Sequence, residues 1–308
     1  MFKVKGYFFA IFAIALFLQG CNDDIFVEPA PDLVDNIKLS GYGDAAEFKL
    51  PTNGLKKVSF GNETDYYTST DYYDANGEPA NSLANVKKIV YGSPRFRIEV
   101  DIDGEDVRVR SIANTYDANL IMWAVLDYGY MTRTVDIVIT PGAPMEITEC
   151  SYFMDYGVRG SKKNLLLRQR VTNNSDRTQR AVYYPYKDVC SRIDVVAEDR
   201  VFDGVRATVP VPLYTGGEWH ENADNTADIV VGGTSYFYSA GVDINEEAYV
   251  DVPANTTVTI ELTVEWATFE VESWIEFRLP NTDSEWIMVN PCKIFQPAGY
   301  ELDVICEE

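Results

Sequence analysis

The chain carries a single histidine, His220. A Ser/His/Asp triad, a Cys/His pair or a multi-histidine metal site would all have to be built on it. It sits in the polar, turn-like run GGEWHENADN, the setting of an exposed loop residue. Cations are scarce: 26 Lys and Arg stand against 48 Asp and Glu, for a net charge of −22. Such a surface repels phosphate backbones, which excludes nucleic acid as a partner, and it keeps an exported protein soluble. No C-x-x-C spacing is present, so zinc is not expected, and nothing implies a cofactor. The acidic run DIDGED lacks the later bidentate Glu of a calcium loop. Paired carboxylates could serve a hydrolase without histidine, but among 48 acids no pair stands out. The sequence therefore predicts a protein that is not an enzyme.

What is present is β-sequence. Tyrosine occurs 20 times, and Val, Thr and Ile recur in short alternating runs, a composition that favours strands. Nothing after the N-terminus reads as a long amphipathic helix. At 308 residues the chain has room for two domains.

The N-terminus is an address. Lys3 and Lys5 precede an uncharged apolar run over residues 7–18, too short for a permanent span. Leu18-Gln19-Gly20 before Cys21 resembles a bacterial lipobox. The resemblance implies a leader over 1–21, lipidation of Cys21 and a membrane anchor; Gln19 is bulkier than the residue usual there. Asn22-Asp23-Asp24 resembles the export signal of Bacteroidota lipoproteins, which implies the outer face of the outer membrane. Residues 22–36, with Pro29, Pro31 and several acids, read as a tether. Four further cysteines, Cys150, Cys190, Cys292 and Cys306, are candidate disulfide partners outside the cytoplasm, with buried free thiols as the alternative. The short separation of Cys292 and Cys306 suggests that these two lie close together.

Residues 37–143 read as a β-sandwich. In RFRIEVDID, Phe96, Ile98, Val100 and Ile102 share one face; Asp103-Gly104 is a hairpin turn, after which Val107 and Val109 resume the alternation. LIMWAV and TVDIVIT follow at sandwich spacing, and Thr140-Pro141-Gly142-Ala143-Pro144 reads as a joint. The order of these strands resembles the immunoglobulin-like or BACON-type domains of Bacteroidota lipoproteins, implying a spacer or glycan-binding module. Tyr66, Tyr67, Tyr72 and Tyr73 are candidate sugar-stacking residues, although period two places one member of each adjacent pair toward the core.

From residue 144 to 308 the strands lengthen and gain threonine. Val258, Ile260, Leu262 and Val264 alternate strictly with Thr257, Thr259, Glu261, Thr263 and Glu265. Three segments, RVTNNSDRTQRA (170–181), ATVPVPLYTGGEW (207–219) and YVDVPANTTVTIELTVEWATFEV (249–271), resemble in order and spacing the aerolysin-type β-pore-forming proteins, closest to the epsilon-toxin and mosquitocidal-toxin branch. The resemblance covers about residues 150–280. It implies an all-β chain in which the N-terminal sandwich is followed by an elongated antiparallel β domain; two β-sandwiches of adhesin type are the alternative. It also implies a homo-oligomer, a target-cell membrane as partner, and a hairpin that swings out. The motif order places that hairpin at 182–206, yet Pro185 and several charges interrupt its alternation. Non-enzymatic binding of glycan or protein is the other functional expectation.

Overall fold

The structure, a computed structural model, describes residues 34–51, 54–64, 67–129, 131–197 and 199–306. The leader, Cys21, the tether up to residue 33 and Tyr66 lie outside the described residues.

Nine strands form the first unit: β1 (Asn36–Leu39), β2 (Ala45–Lys49), β3 (Lys57–Asn62), β4 (Ser69–Tyr73), β5 (Lys88–Ser93), β6 (Phe96–Asp103), β7 (Asp106–Asn114), β8 (Leu120–Asp127) and β9 (Thr132–Ile139). They make two facing sheets, ordered β1-β9-β8-β3 and β2-β7-β6-β5-β4. The alternation in β6 works as its sequence requires. Phe96, Ile98 and Val100 are buried with Tyr91, Met122 and Ile137 from both sheets. Glu99, on the opposite face, is buried as well, because Lys88 (2.9 Å), Arg97 (3.1 Å) and Arg110 (2.8 Å) close around its carboxylate.

The chain then passes to the second unit beside buried Asn114, whose Nδ2 donates to the carbonyls of Ile139 (3.1 Å) and Thr140 (3.0 Å). Gly41 meets Pro141 and Gly142 backbone to backbone here, leaving no room for a Cβ. Arg95 donates across to the carbonyl of Asp203 at 3.0 Å, and Ala113 packs into the core of the second unit.

That unit contains β10 (Glu146–Tyr152), β11 (Val158–Asn173), β12 (Gln179–Tyr183), β13 (Ser191–Val195), β14 (Arg206–Pro210), β15 (Leu213–Thr215), β16 (Glu218–His220), β17 (Thr226–Val230), β18 (Thr234–Phe237), β19 (Ala248–Val252), β20 (Thr256–Arg278) and β21 (Glu285–Cys306). Its axis is the antiparallel pair β20–β21, in register from Arg278↔Glu285 to Val258↔Cys306. At 23 residues, β20 spans at most about 75 Å. The protein is all-β: a sandwich followed by an elongated antiparallel module rather than two sandwiches of equal build.

The length of β20 rests on a change of phase. Its buried residues fall at Val258, Ile260, Leu262 and Val264, then at Ala267, Phe269, Val271, Ile275 and Phe277. Parity flips between them, at the level where Ala298 forms a β-bulge in β21 opposite Glu265 and Trp266. Because β20 itself has no extra residue, the buried side passes from one face of the strand to the other. Beyond the bulge the apolar face covers the main core; before it, β12 and β19 pack Val250 and Val252 on Val258 and Ile260.

The segment 170–181 is a corner rather than a hairpin. β11 pairs with β20, while β12 pairs with β19. Buried Asn173 holds the corner, its Nδ2 donating to Arg177 O (2.8 Å), Val252 O (3.0 Å) and Pro253 O (2.9 Å).

Candidate functional site

Residues 182–206, expected to form the mobile hairpin, do not form one. Ile193 and Val195 are buried, and their strand β13 is paired on both sides, to β18 and to β21. The segment that the motif order assigned to the hairpin thus supplies a strand inside the sheet.

An amphipathic hairpin lies immediately downstream, at 206–230. Its root ladder pairs β14 with β17, from Arg206↔Val230 to Pro210↔Thr226. Its tip ladder pairs β15 with β16, from Leu213↔His220 to Thr215↔Glu218. Gly216 (φ +61°) and Gly217 (φ +89°) close the tip; two successive positive φ values are the type I′ requirement, which glycine meets without strain. Between the ladders two residues on one arm face five on the other. Asn225 spans the mismatch, its Nδ2 donating to Val211 O at 2.8 Å.

The two faces differ sharply. In the root ladder Val209, Ala227 and Ile229 are buried with Val211 just beyond it, whereas Thr208, Pro210, Thr226 and Asp228 are exposed. In the tip ladder Trp219, paired with Tyr214, enters the same core, and Leu213, paired with exposed His220, is buried on the other face. The apolar face rests on the long sheet, with Trp219 stacked on Phe269 of β20 at 5.2 Å. Each buried Val, Leu or Ile contributes about 1.5–3 kcal/mol, so the hairpin stays docked in water unless another apolar phase covers that face.

Among the described residues the hairpin shares no backbone ladder with the long sheet; β14–β17 and β15–β16 are separate two-stranded sheets. Side chains latch it instead. Gln296 of β21, fully buried, accepts from the Tyr214 amide (2.8 Å) and donates to Pro212 O (2.6 Å). The Tyr152 hydroxyl of β10 donates to Pro210 O at 3.1 Å. Burial, aided by the nearby Cys150 and Cys292, pushes the Tyr152 phenol well above its usual range, so at neutral pH it keeps the proton it donates.

The four described cysteines are free thiols. The expected proximity of Cys292 and Cys306 fails. Both lie on β21, fourteen residues apart in one extended strand, a separation of roughly 45 Å. Burial pushes the Cys150 thiol up to about 11 and that of Cys292 up to about 12; neither is a nucleophile at neutral pH. The tyrosine candidates do not converge on one platform. Tyr67 is exposed, and Tyr72 is half-buried, its hydroxyl donating to Val58 O at 2.9 Å. Tyr73 is its neighbour in β4, on the opposite face. A separate open groove of about 680 Å³ crosses the outer face of the long sheet, lined by Phe153, Tyr156, Glu272, Pro291 and Lys293 among others.

No protein-family model matches the chain, and no curated protein matches it. Among solved structures it is similar to an immune protein of lamprey, at 8% identity over 87% of this chain and 97% of that one, with a TM-score of 0.39. It is also similar to an aerolysin-like protein of Bombina maxima, at 11% identity over 52% and 97%, TM-score 0.30. A third similarity is to the Mpp75Aa1.1 β-pore-forming protein of Brevibacillus laterosporus, at 10% identity over 62% and 80%, TM-score 0.27. These likenesses are distant in sequence and in superposition.

Proposed function

We propose that this protein is a non-enzymatic, lipid-anchored surface protein that acts on membranes by releasing hairpin 206–230 into a bilayer. The supporting observation is the docking of that hairpin: its apolar face is buried on the body, yet no ladder ties it to the long sheet among the described residues. A transmembrane strand needs about 9–11 residues of alternating character. The first arm supplies that length, with Ala207, Val209, Val211 and Leu213 for lipid and Arg206, Thr208 and Pro210 for water. Lipid would replace the core as the apolar phase. Cys21 would hold the molecule on the outer membrane with its body facing outward, and Cys21→Ala should leave the leader uncleaved.

A reversible lock tests the reading. Tyr152→Cys and Pro210→Cys, with the other thiols replaced, would be bridged by a cleavable bis-maleimide. The bridged protein should not release dye from phosphatidylcholine vesicles, and cleavage should restore release. Equal release from the bridged form would rule out hairpin movement.

The open groove favours a second reading, glycan binding beside Tyr156, whose side chain is exposed at 86%. An exposed ring between acids offers both a stacking face and hydrogen-bond acceptors for a sugar. Tyr156→Ala should abolish glycan-array binding; unchanged binding would remove the groove.

A further inference from the structure

The lower part of the long sheet has two open edges of opposite charge. β11 pairs only with β20, and β21 beyond Phe295 has only β20 beside it among the described residues. Apart from Leu167, Val171 and Asn173, every residue of β11 is exposed, including Leu165 and Leu166. At the end of β21, Glu301, Asp303, Val304, Ile305 and Cys306 are exposed.

The charge is sorted between these edges. In a chain of net charge −22, β11 carries Arg159, Lys162, Lys163, Arg168 and Arg170 and no acid. The end of β21 carries Glu301 and Asp303 and no cation. Both strands are registered on β20, so their levels are fixed. Glu261 has Arg168 on one side and Asp303 on the other, and Thr263 has Leu165 and Glu301. The attraction already operates inside one molecule, where Lys163 reaches across β20 to Glu301.

We infer that these edges are the two halves of a self-association surface, with β11 of one copy taking the end of β21 of the next as its strand neighbour. The backbone N–H and C=O groups that each edge turns away from β20 supply the ladder. Like charges oppose β11 pairing with β11, and equally β21 with β21, so only the mixed pair is favoured. A mixed pair is head-to-tail, and such contacts propagate until the rotation closes a ring. β11 and β21 both run antiparallel to β20, so the strands of neighbours in a ring are parallel. A stagger of two residues in either direction still sets a β11 cation beside Glu301 or Asp303. The inference deepens the membrane reading and rests on it for its purpose, because one hairpin cannot close a barrel alone. Its geometry is separate from the hairpin.

Native Cys306 provides the test. β20 lies between β11 and β21, placing their Cα atoms about 9.5 Å apart within one molecule, beyond the reach of a disulfide. Any disulfide between Cys306 and a β11 cysteine is therefore intermolecular. Full-length protein with Cys150, Cys190 and Cys292 replaced would carry one of Leu166→Cys, Gln169→Cys or Val171→Cys. After contact with vesicles of phosphatidylcholine and phosphatidylglycerol, mild oxidation should give a ladder of cross-linked species. Arg168→Glu with Arg170→Glu should lower its yield about ten-fold, and adding Glu301→Lys with Asp303→Lys should restore it. Absence of cross-linking at all three positions, with Cys306 reactive to maleimide, overturns the inference. A loss that the acid-to-lysine changes do not restore also overturns it, and shows that β11 reads anionic lipid. Dye release without cross-linking overturns the edge pairing but leaves hairpin insertion standing; cross-linking in a protein that never releases dye supports the pairing and counts against the insertion.

Discussion

Gln296 holds Tyr214 and its neighbour Pro212 by their backbone: its Oε1 accepts from the Tyr214 amide at 2.8 Å and its Nε2 donates to the Pro212 carbonyl at 2.6 Å. One buried amide thereby satisfies the Tyr214 donor and supplies the shorter of two bonds to the Pro212 carbonyl, which also accepts from Asn225 Nδ2 at 3.4 Å. Ser239 adds a hydroxyl donor to the same Oε1 at 3.1 Å.

Gln296→Leu should keep the volume and remove the latch. Each stranded group costs about 1–3 kcal/mol. The amides of residues 213–215 should exchange faster while those of β20 stay protected, and vesicle dye release should accelerate. Unchanged exchange at Tyr214 would mean that Gln296 does not hold the hairpin.

Trp219→Ala should empty the space over Phe269 and cost about 3–5 kcal/mol, read as a lowered urea midpoint. The stacked pair lies 19° from coplanar, so the near-ultraviolet dichroism should weaken with it. Thr208→Ala, on the exposed face of the same hairpin, should change stability by no more than about 0.5 kcal/mol.

Glu99 sets an acid limit on the sandwich. Burial alone would push its carboxyl up; Lys88, Arg97 and Arg110 outweigh that and hold it below the ordinary 4.5. A depressed folded-state pKa stabilises the fold above the unfolded value, and that stability is lost as pH falls through the folded one. Stability should therefore decline below about pH 4.5. Glu99→Gln should lower stability at neutral pH by about 1–3 kcal/mol and flatten the acid side of the profile. An unchanged acid slope in denaturation at several pH values would contradict this.

The thiols should react in the order of their exposure. Cys306 is exposed, whereas Cys292 is buried with its thiol pushed up to about 12. An aromatic disulfide reagent at neutral pH should titrate Cys306 within the first phase and reach Cys292 only on unfolding. Rapid reaction of Cys292 in the folded protein would show that the core beneath the hairpin is open.

The sequence made some of this legible and concealed the rest for definite reasons. Phe96, Ile98 and Val100 alternate without interruption, and the structure buries all three. The run from Val258 to Val264 is equally regular, but beyond Trp266 burial passes to the odd positions on the other face of β20. A period-two reading therefore stops there, and half of a 23-residue strand goes unseen. The motif order put the hairpin at 182–206, one segment too early, and Pro210 and Pro212 interrupt the alternation of its true first arm. Pro210 is the last residue of β14 with its face in water, and Pro212 lies between the two ladders, where no strand hydrogen bond is lost. Trp219 lies past two glycines, and nothing local shows that it shares a core with Val209. Conversely, Ile193 and Val195 gave 182–206 a false amphipathic character, because nothing local shows that both edges of β13 are paired.

Membrane insertion of hairpin 206–230 requires that one of its faces exchange protein core for lipid. An environment-sensitive nitrobenzoxadiazole label placed singly at each position from 207 to 213 and from 226 to 230 measures this directly on vesicles. Insertion should give alternation: signals at 207, 209, 211, 213, 227 and 229 that quenchers in the acyl chains reduce, and signals at 208, 210, 226 and 228 that aqueous iodide reduces. Iodide quenching at every position, with none from the acyl chains, would contradict it.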